Sequence, residues 1–237
     1  MSAHYFIADA HVGAGFPKAE QRLVAFMEKI QGAADSLFIL GDLFEFWFEY
    51  QRAIPRHGFR VIARLAELRR SGTRIVYLQG NHDFWLRSFL KRELSVETPG
   101  DELATEIDGR RVYLAHGDGL DRGVVPRTFR RLMRSRMNGA LYSLIHPDVG
   151  IRLAQWVAGR SRELGAKMYL REDMARFAEA KTRDGFEVVM LGHSHVPERR
   201  EFPAGVYVNV GDWVRNSSYG VMRDGAVALE SFSAGKL

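Results

Sequence analysis

The stretch Ser36-Leu37-Phe38-Ile39-Leu40-Gly41-Asp42-Leu43-Phe44-Glu45 sets a short apolar run directly before a glycine turn that carries a carboxylate. A run of that length, bounded by a turn residue, reads as a buried β-strand. The same grammar recurs along the chain. His4 to Ala8 precedes Asp9-Ala10-His11, Arg74 to Gln79 precedes Gly80-Asn81-His82-Asp83, and Arg111 to Ala115 precedes His116-Gly117-Asp118. Glu187 to Leu191 precedes Gly192-His193-Ser194-His195, and Val206 to Val210 precedes Gly211-Asp212. Between strands, Leu23, Phe26, Met27 and Ile30 recur at the spacing of one buried helical face, and Phe59, Ile62, Ala63 and Ala66 repeat the device. Asp108-Gly109 and Asp224-Gly225 are hairpin-turn signals, so part of the sheet system is expected to be antiparallel. The pattern is that of an α/β fold with mixed sheets.

From about Asp121 to Gly185 the grammar breaks, because no convincing strand occurs there and the spacing is helical. Phe129, Leu132, Met133, Met137, Ala140, Leu141 and Leu144 share one apolar face, with Arg127, Arg131 and Arg134 away from its centre. His146-Pro147-Asp148 closes that helix, since a residue before proline disfavours the helical region. The expected organisation is a core built from residues 1–120 and 186–237, with an inserted helical cap over 121–185.

Charge is concentrated in that insertion. The chain carries a net +5, but Arg122 through Arg176 holds twelve basic and four acidic residues, a net +8 that leaves the remainder at −3. A basic segment on a mildly acidic body implies an anionic partner, the alternative being a solvated arginine face. Hydrophobic residues at 46% and charged residues at 27% are ordinary globular usage. The absence of cysteine excludes disulfides, thiolate metal sites and a cysteine nucleophile. The N-terminus has neither the basic flank nor the apolar core of a signal peptide, and no run approaches the roughly 18 apolar residues of a spanning helix. The expectation is a cytoplasmic protein whose membrane contact is peripheral, on the inner face of the cell membrane.

Five of the six strand ends carry potential metal ligands, and in open α/β sheets ligands gather outside the carboxyl ends of strands. Any one of these short patterns occurs often by chance; five in the same position relative to five strands do not. Asp9, His11, Asp42, Asn81, His116, His193 and His195 offer oxygen and imidazole donors without thiolate, a set that favours Mn, Fe or Zn. Seven ligands exceed one shell, so two divalent ions are expected, at the separation of about 3.5–4 Å at which such pairs clamp attacking and leaving oxygens.

The motifs Asp9-Ala10-His11, Gly41-Asp42-Leu43-Phe44-Glu45, Gly80-Asn81-His82-Asp83, His116-Gly117-Asp118 and Gly192-His193-Ser194-His195 resemble, in order, the five motifs of the calcineurin-like metallophosphoesterases. That resemblance implies a sandwich of two mixed β-sheets flanked by helices, here with an inserted helical cap. It also implies that Asp9, His11 and His195 hold one ion, that Asn81, His116 and His193 hold the other, and that Asp42 bridges them. His82 suits proton donation to a leaving group or stabilisation of phosphoryl charge, with Asp83 orienting it. Glu45, Asp118 and Asp212 are expected as outer acceptors for the ligands' hydrogen bonds.

Within that family the chain most resembles the UDP-2,3-diacylglucosamine hydrolases of lipid A synthesis, nearly end to end. The resemblance implies a nucleotide-linked glycolipid substrate, cleaved at its pyrophosphate to UMP and a diacylated sugar 1-phosphate, with Mn as the ion. Ser161, Arg162 and Lys167 would then meet the phosphate or glucosamine groups, while Trp47 and Phe84 line the acyl chamber. The best-known branch carries Arg where this chain has His82, and Val124 stands where an acidic residue is expected. An amphipathic, Arg-bearing lid also fits an anionic membrane surface. The rivals are a phosphoesterase for another nucleotide or nucleic-acid substrate and a non-catalytic binding module. Tyr142, Trp156 and Tyr169 are scattered rather than interleaved with the basic residues, so nucleic acid is not the expected partner.

Overall fold

The computed structural model describes residues 2–50, 53–86, 88–120, 131–132, 134–154 and 167–233. The chain opens with β1 (Ala3–Ile7), α1 (Pro17–Ile30), β2 (Ser36–Leu40), α2 (Phe59–Arg70) and β3 (Arg74–Leu78). Next come α3 (Phe89–Leu94), β4 (Glu97–Gly100), β5 (Glu102–Ile107) and β6 (Arg110–Ala115). Helices α4 (Arg136–Tyr142) and α5 (Lys167–Arg183) lead to β7 (Val188–Leu191), β8 (Glu198–Phe202), β9 (Gly205–Asn209), β10 (Ser218–Arg223) and β11 (Ala226–Ser231). The strands form two mixed sheets, one in the order β11-β10-β1-β2-β3-β4 and the other β5-β6-β7-β9-β8. In the first sheet β1, β2 and β3 run parallel, and in the second β6, β7 and β9 do, so both sets of ligand-bearing turns leave from carboxyl ends. Both anticipated hairpins form: Asp108 and Gly109 between β5 and β6, and Asp224 and Gly225 between β10 and β11, all take the positive φ that a tight two-residue turn requires.

Side-chain alternation assigns each strand's two faces. Phe6, Phe38, Leu40, Val76 and Leu78 point inward against Val112, Leu114, Val188, Met190 and Val208 of the second sheet. Tyr5, Ile7, Leu37, Ile39, Ile75 and Tyr77 point outward, beneath α1 and α2. With both faces covered, β2 is buried along its whole length, as a central parallel strand should be. The stripe read on α1 is the buried one, joined by Ala19. On α2 the buried face is Val61, Ile62, Leu65 and Leu68, and Phe59 is exposed, so the expected stripe was rotated about the helix.

The insertion departs further from expectation. Helix α5 packs Met174, Ala175 and Ala178 on the outer face of the second sheet, against Tyr113, Val189, Leu191 and Tyr207. It is therefore part of the body, and the cap expected over 121–185 does not extend through it. Helix α4 ends at Tyr142 and a second helical stretch covers 147–154, with Pro147 at its first position, where its missing N–H costs nothing. Leu132, Met137, Leu141 and Leu144, expected on one apolar face, are exposed. Phe129 and Met133 lie outside the described residues.

On the inner face of the first sheet Phe6 and Phe38, register partners on β1 and β2, stack with ring centroids 4.9 Å apart and pack against the second sheet. Phe38→Ala should lower stability by about 3–5 kcal/mol in urea unfolding, because the wholly enclosed ring leaves a cavity its neighbours cannot fill. A loss below about 1 kcal/mol would mean that the sheets close over it.

Candidate metal centre

Two glycines let the ligand-bearing turns converge. A Cβ on Gly41 (φ +87°) would lie 2.7 Å from both the Gly80 Cα and the His116 Nδ1, and one on Gly80 would lie 2.0 Å from an Asp42 carboxylate oxygen. Around them the backbone bends sharply. Asp9, His11, Asp42, His193 and His195 all adopt left-handed φ values between 46° and 66°. Such conformations cost a non-glycine residue of order 1–3 kcal/mol and persist where surrounding contacts over-determine them. Here they swing five of the expected ligands out of their strand directions and into one crevice.

Second partners fix which ring nitrogen faces the crevice. His116 Nδ1 donates to the carbonyl of Leu40 (2.7 Å), leaving Nε2 to face Asn81 Oδ1 at 3.1 Å and Asp42 Oδ2 at 3.3 Å. His11 Nδ1 donates to Glu45 Oε2 (3.0 Å), and His195 Nδ1 lies 3.4 Å from Asp212 Oδ2. Their Nε2 atoms thus face each other at 3.4 Å, with Asp9 Oδ1 at 3.8 Å and 3.3 Å from them. Asp9 Oδ2 accepts the His193 backbone N–H at 2.7 Å, whereas Oδ1 is buried with no hydrogen-bond donor. Imidazole–carboxylate pairs of this kind are what orient metal-bound histidines. The same arrangement bears out Glu45 and Asp212 as outer acceptors.

Three groups of His and Asp atoms mutually within 4.8 Å result: Asp9, His11 and His195; Asp42, His116 and His193; and His11, Asp42 and His82. Asn81 adjoins the second group through His116. Electrostatics tell the same story. Burial works to lower the His11 and His116 pKa values, yet hydrogen bonds and charge from Asp9, Glu45 and Asp42 lift both to about 10. Burial would raise the Asp9 carboxyl, but His195 and His11 hold it at about 2. A buried site that draws protons onto its imidazoles this strongly is short of positive charge, and the orphaned Asp9 oxygen, the facing lone pairs and the oxygen/imidazole donor set fit divalent cations. Asp9, His11 and His195 would hold one ion, Asn81, His116 and His193 the other, with Asp42 adjoining both.

The two expected catalytic residues part company. His82 reaches the crevice: its Nδ1 donates to the Glu45 carbonyl at 3.0 Å and its Nε2 lies 3.9 Å from Asp42 Oδ2. Burial pushes its pKa below the usual histidine value, so the ring is neutral with a free Nε2 lone pair. Asp83 does not orient it. That carboxylate is wholly buried and accepts the backbone N–H groups of Gly80 (2.9 Å), Asp42 (3.1 Å) and Phe44 (3.3 Å), together with the Tyr77 hydroxyl. It clips the Asp42 turn to the Asn81 turn, and burial beside Asp42 pushes its pKa up to about 6.

Of the expected substrate contacts, Ser161 and Arg162 lie outside the described residues, and Lys167 opens α5. Trp47 belongs to the core. Its ring has no exposed surface, stacks on Phe44 at 4.4 Å and donates its indole N–H to Glu49. Alternation turns Trp47 inward and its neighbours Phe46 and Phe48 the other way, where they join Phe84, Trp85 and Tyr142 in an aromatic cluster beside the centre. Phe84 lies partly buried in that cluster, and its companions Phe46, Phe48 and Trp85 were not singled out in the sequence. The density of aromatic residues just after the Asp42 and Asn81 turns was the available signal.

The calcineurin-like phosphoesterase family matches residues 5–197, and the chain belongs to that family. It is a metal-dependent phosphoesterase. Among curated relatives, a UDP-2,3-diacylglucosamine hydrolase of Porphyromonas gingivalis is 30% identical over 96% of this chain and 96% of its own. Proteins of the same name from Ralstonia nicotianae (31%, covering 97% and 92%) and Aeromonas salmonicida (32%, covering 95% and 91%) are similar to the same extent. A solved archaeal phosphodiesterase shares the fold, with a TM-score of 0.53 at 14% identity over 97% of this chain and 99% of its own.

Asp42 is the carboxylate common to two of the three groups. Asp42→Ala is expected to loosen both ions, so that elemental analysis after desalting finds about two equivalents of metal on the parent protein and well under one on the variant. Full retention would remove Asp42 from the bridging position.

Proposed function

We propose that this phosphoesterase hydrolyses the pyrophosphate of UDP-2,3-diacylglucosamine, releasing UMP and 2,3-diacylglucosamine 1-phosphate, with Mn as its resident ion pair. The observation that carries this reading is the near full-length similarity to enzymes named for this substrate, on a chain whose crevice gathers oxygen and imidazole donors suited to divalent ions and phosphate.

Bound in the two adjoining groups, the ions supply Lewis-acid charge to the phosphate and activate water near neutral pH. The chain's own residues do the rest. Glu45, Asp212 and the Leu40 carbonyl hold three imidazoles with Nε2 forward, and Asp83 holds the turns of Asp42 and Asn81 together. His82, neutral and with its bare Nε2 toward the crevice, accepts a hydrogen bond or proton at that atom beside the reacting phosphate, in place of the proton donation or charge stabilisation expected from the sequence. Ser161, Arg162 and Lys167 are proposed contacts to the sugar phosphate.

The proposed setting is the cytoplasmic face of an anionic membrane. Leu132, Met137, Leu141, Leu144, Val149 and Leu153 are exposed together on the segment that also displays Arg131 and Arg152, a pairing that suits a leaflet of acyl chains beneath anionic headgroups. No helix among the described residues is long and apolar enough to cross a membrane.

With Mn, the purified protein should release UMP from UDP-2,3-diacylglucosamine and leave an aryl phosphodiester and single-stranded DNA intact. Cleavage of either of the latter without UMP release would overturn the substrate assignment. His82→Ala should lower turnover roughly 100-fold or more with the metal content unchanged. Loss of an ion in that variant would place His82 among the ligands.

A further inference from the structure

Arg134 sits on the basic stretch expected to meet an anionic partner, yet its side chain turns inward and is only 16% exposed. One terminal nitrogen donates to the Gly80 carbonyl at 2.9 Å and to Asp118 Oδ2 at 3.2 Å, and the other pairs with Asp101. The guanidinium also lies over the Phe84 ring, 5.6 Å from its centroid. Gly80 immediately precedes Asn81, beyond β3 of the first sheet, and Asp118 follows His116 by two residues, beyond β6 of the second. One terminal nitrogen of Arg134, anchored by the other on Asp101, therefore bridges the two turns that present Asn81 and His116, and those turns come from different sheets. The guanidinium is always charged, and its planar fork holds the bridging nitrogen in place through the second nitrogen on Asp101, an anchorage that a lysine ammonium lacks.

We propose that Arg134 is a positioning residue: it sets the spacing of Asn81 and His116, and so couples seating of the 131–154 segment to occupancy of the ion site those ligands would build. The proposal rests on the two-ion reading of the centre. Because the same contacts serve both purposes, the coupling runs both ways. An ion held between Asn81 and His116 fixes Gly80 and Asp118 as acceptors for Arg134, and Arg134 in place favours the ion.

The test is Mn titration calorimetry on the full chain with Arg134→Met and Arg134→Lys, alongside Asn81→Ala and His195→Ala as markers for the two sites. The parent protein should bind two ions; failure to do so would sink the metal-centre reading itself. In Arg134→Met the step removed by Asn81→Ala should weaken about 10–100-fold, the usual effect of losing an outer-shell partner. The step removed by His195→Ala should stay within about twofold. Arg134→Lys, which keeps the charge, should fall between parent and Met variant, and it carries the test if the Met variant does not fold. As a second readout, Mn should slow tryptic cleavage after the exposed Arg152 in the parent protein and not in Arg134→Met. Equal weakening of both steps, unchanged affinities, or cleavage indifferent to Mn in the parent would each overturn the proposal.

Discussion

The Nε2 atoms of His11 and His195 face each other across 3.4 Å, and the Nε2 of His116 faces the carboxamide oxygen of Asn81 across 3.1 Å. In every case the opposite ring nitrogen is already turned toward an acceptor, so lone pairs meet lone pairs inside a buried pocket. Such an arrangement is repulsive unless positive charge sits between the atoms. Protons can supply it, as the raised pKa values of His11 and His116 show, but a divalent ion supplies more charge to more donors at once. The chemistry of the family follows from that demand for cations.

The sandwich keeps these acceptors together. Asp9, His11, Asp42 and Asn81 leave the first sheet, and His116, His193 and His195 leave the second, so the centre straddles the sheet interface at the carboxyl ends of both parallel sets. Burial of Phe6, Phe38, Val76, Val112, Leu114 and Val188 between the sheets supplies the apolar driving force. Part of that stability holds five left-handed residues at the strand ends. Gly41 and Gly80 let the turns touch, and Asp83 ties the Asp42 turn to the Asn81 turn through three backbone donors. Strain and close approach gather where the ligands are.

Much of this was legible in the sequence, because strand-then-polar-turn is a local pattern and it recurred at each ligand. The hairpins at Asp108-Gly109 and Asp224-Gly225 were legible for the same reason, as were Glu45 and Asp212 as outer acceptors. Pairing is not local. Periodicity cannot say that β6 joins β7 and β9 in a second sheet while β10 returns beside β1, and only the resemblance to a family supplied two sheets. Helical spacing gives a face without saying what covers it: the apolar face of Leu132, Met137 and Leu141 is exposed, whereas α5, read as part of the cap, packs on the second sheet. Trp47 was misjudged by residue type, since an aromatic beside a ligand turn lies in the core, and nothing local in the basic stretch marked Arg134 as the arginine that turns inward.

Electron paramagnetic resonance of the protein loaded with two equivalents of Mn addresses the central claim most directly. Ions close enough to share the Asp42 carboxylate must be magnetically coupled, giving a broad multiline spectrum that the singly loaded protein lacks. Two equivalents that give only the six-line signal of isolated Mn would show that these side chains do not build one dinuclear centre.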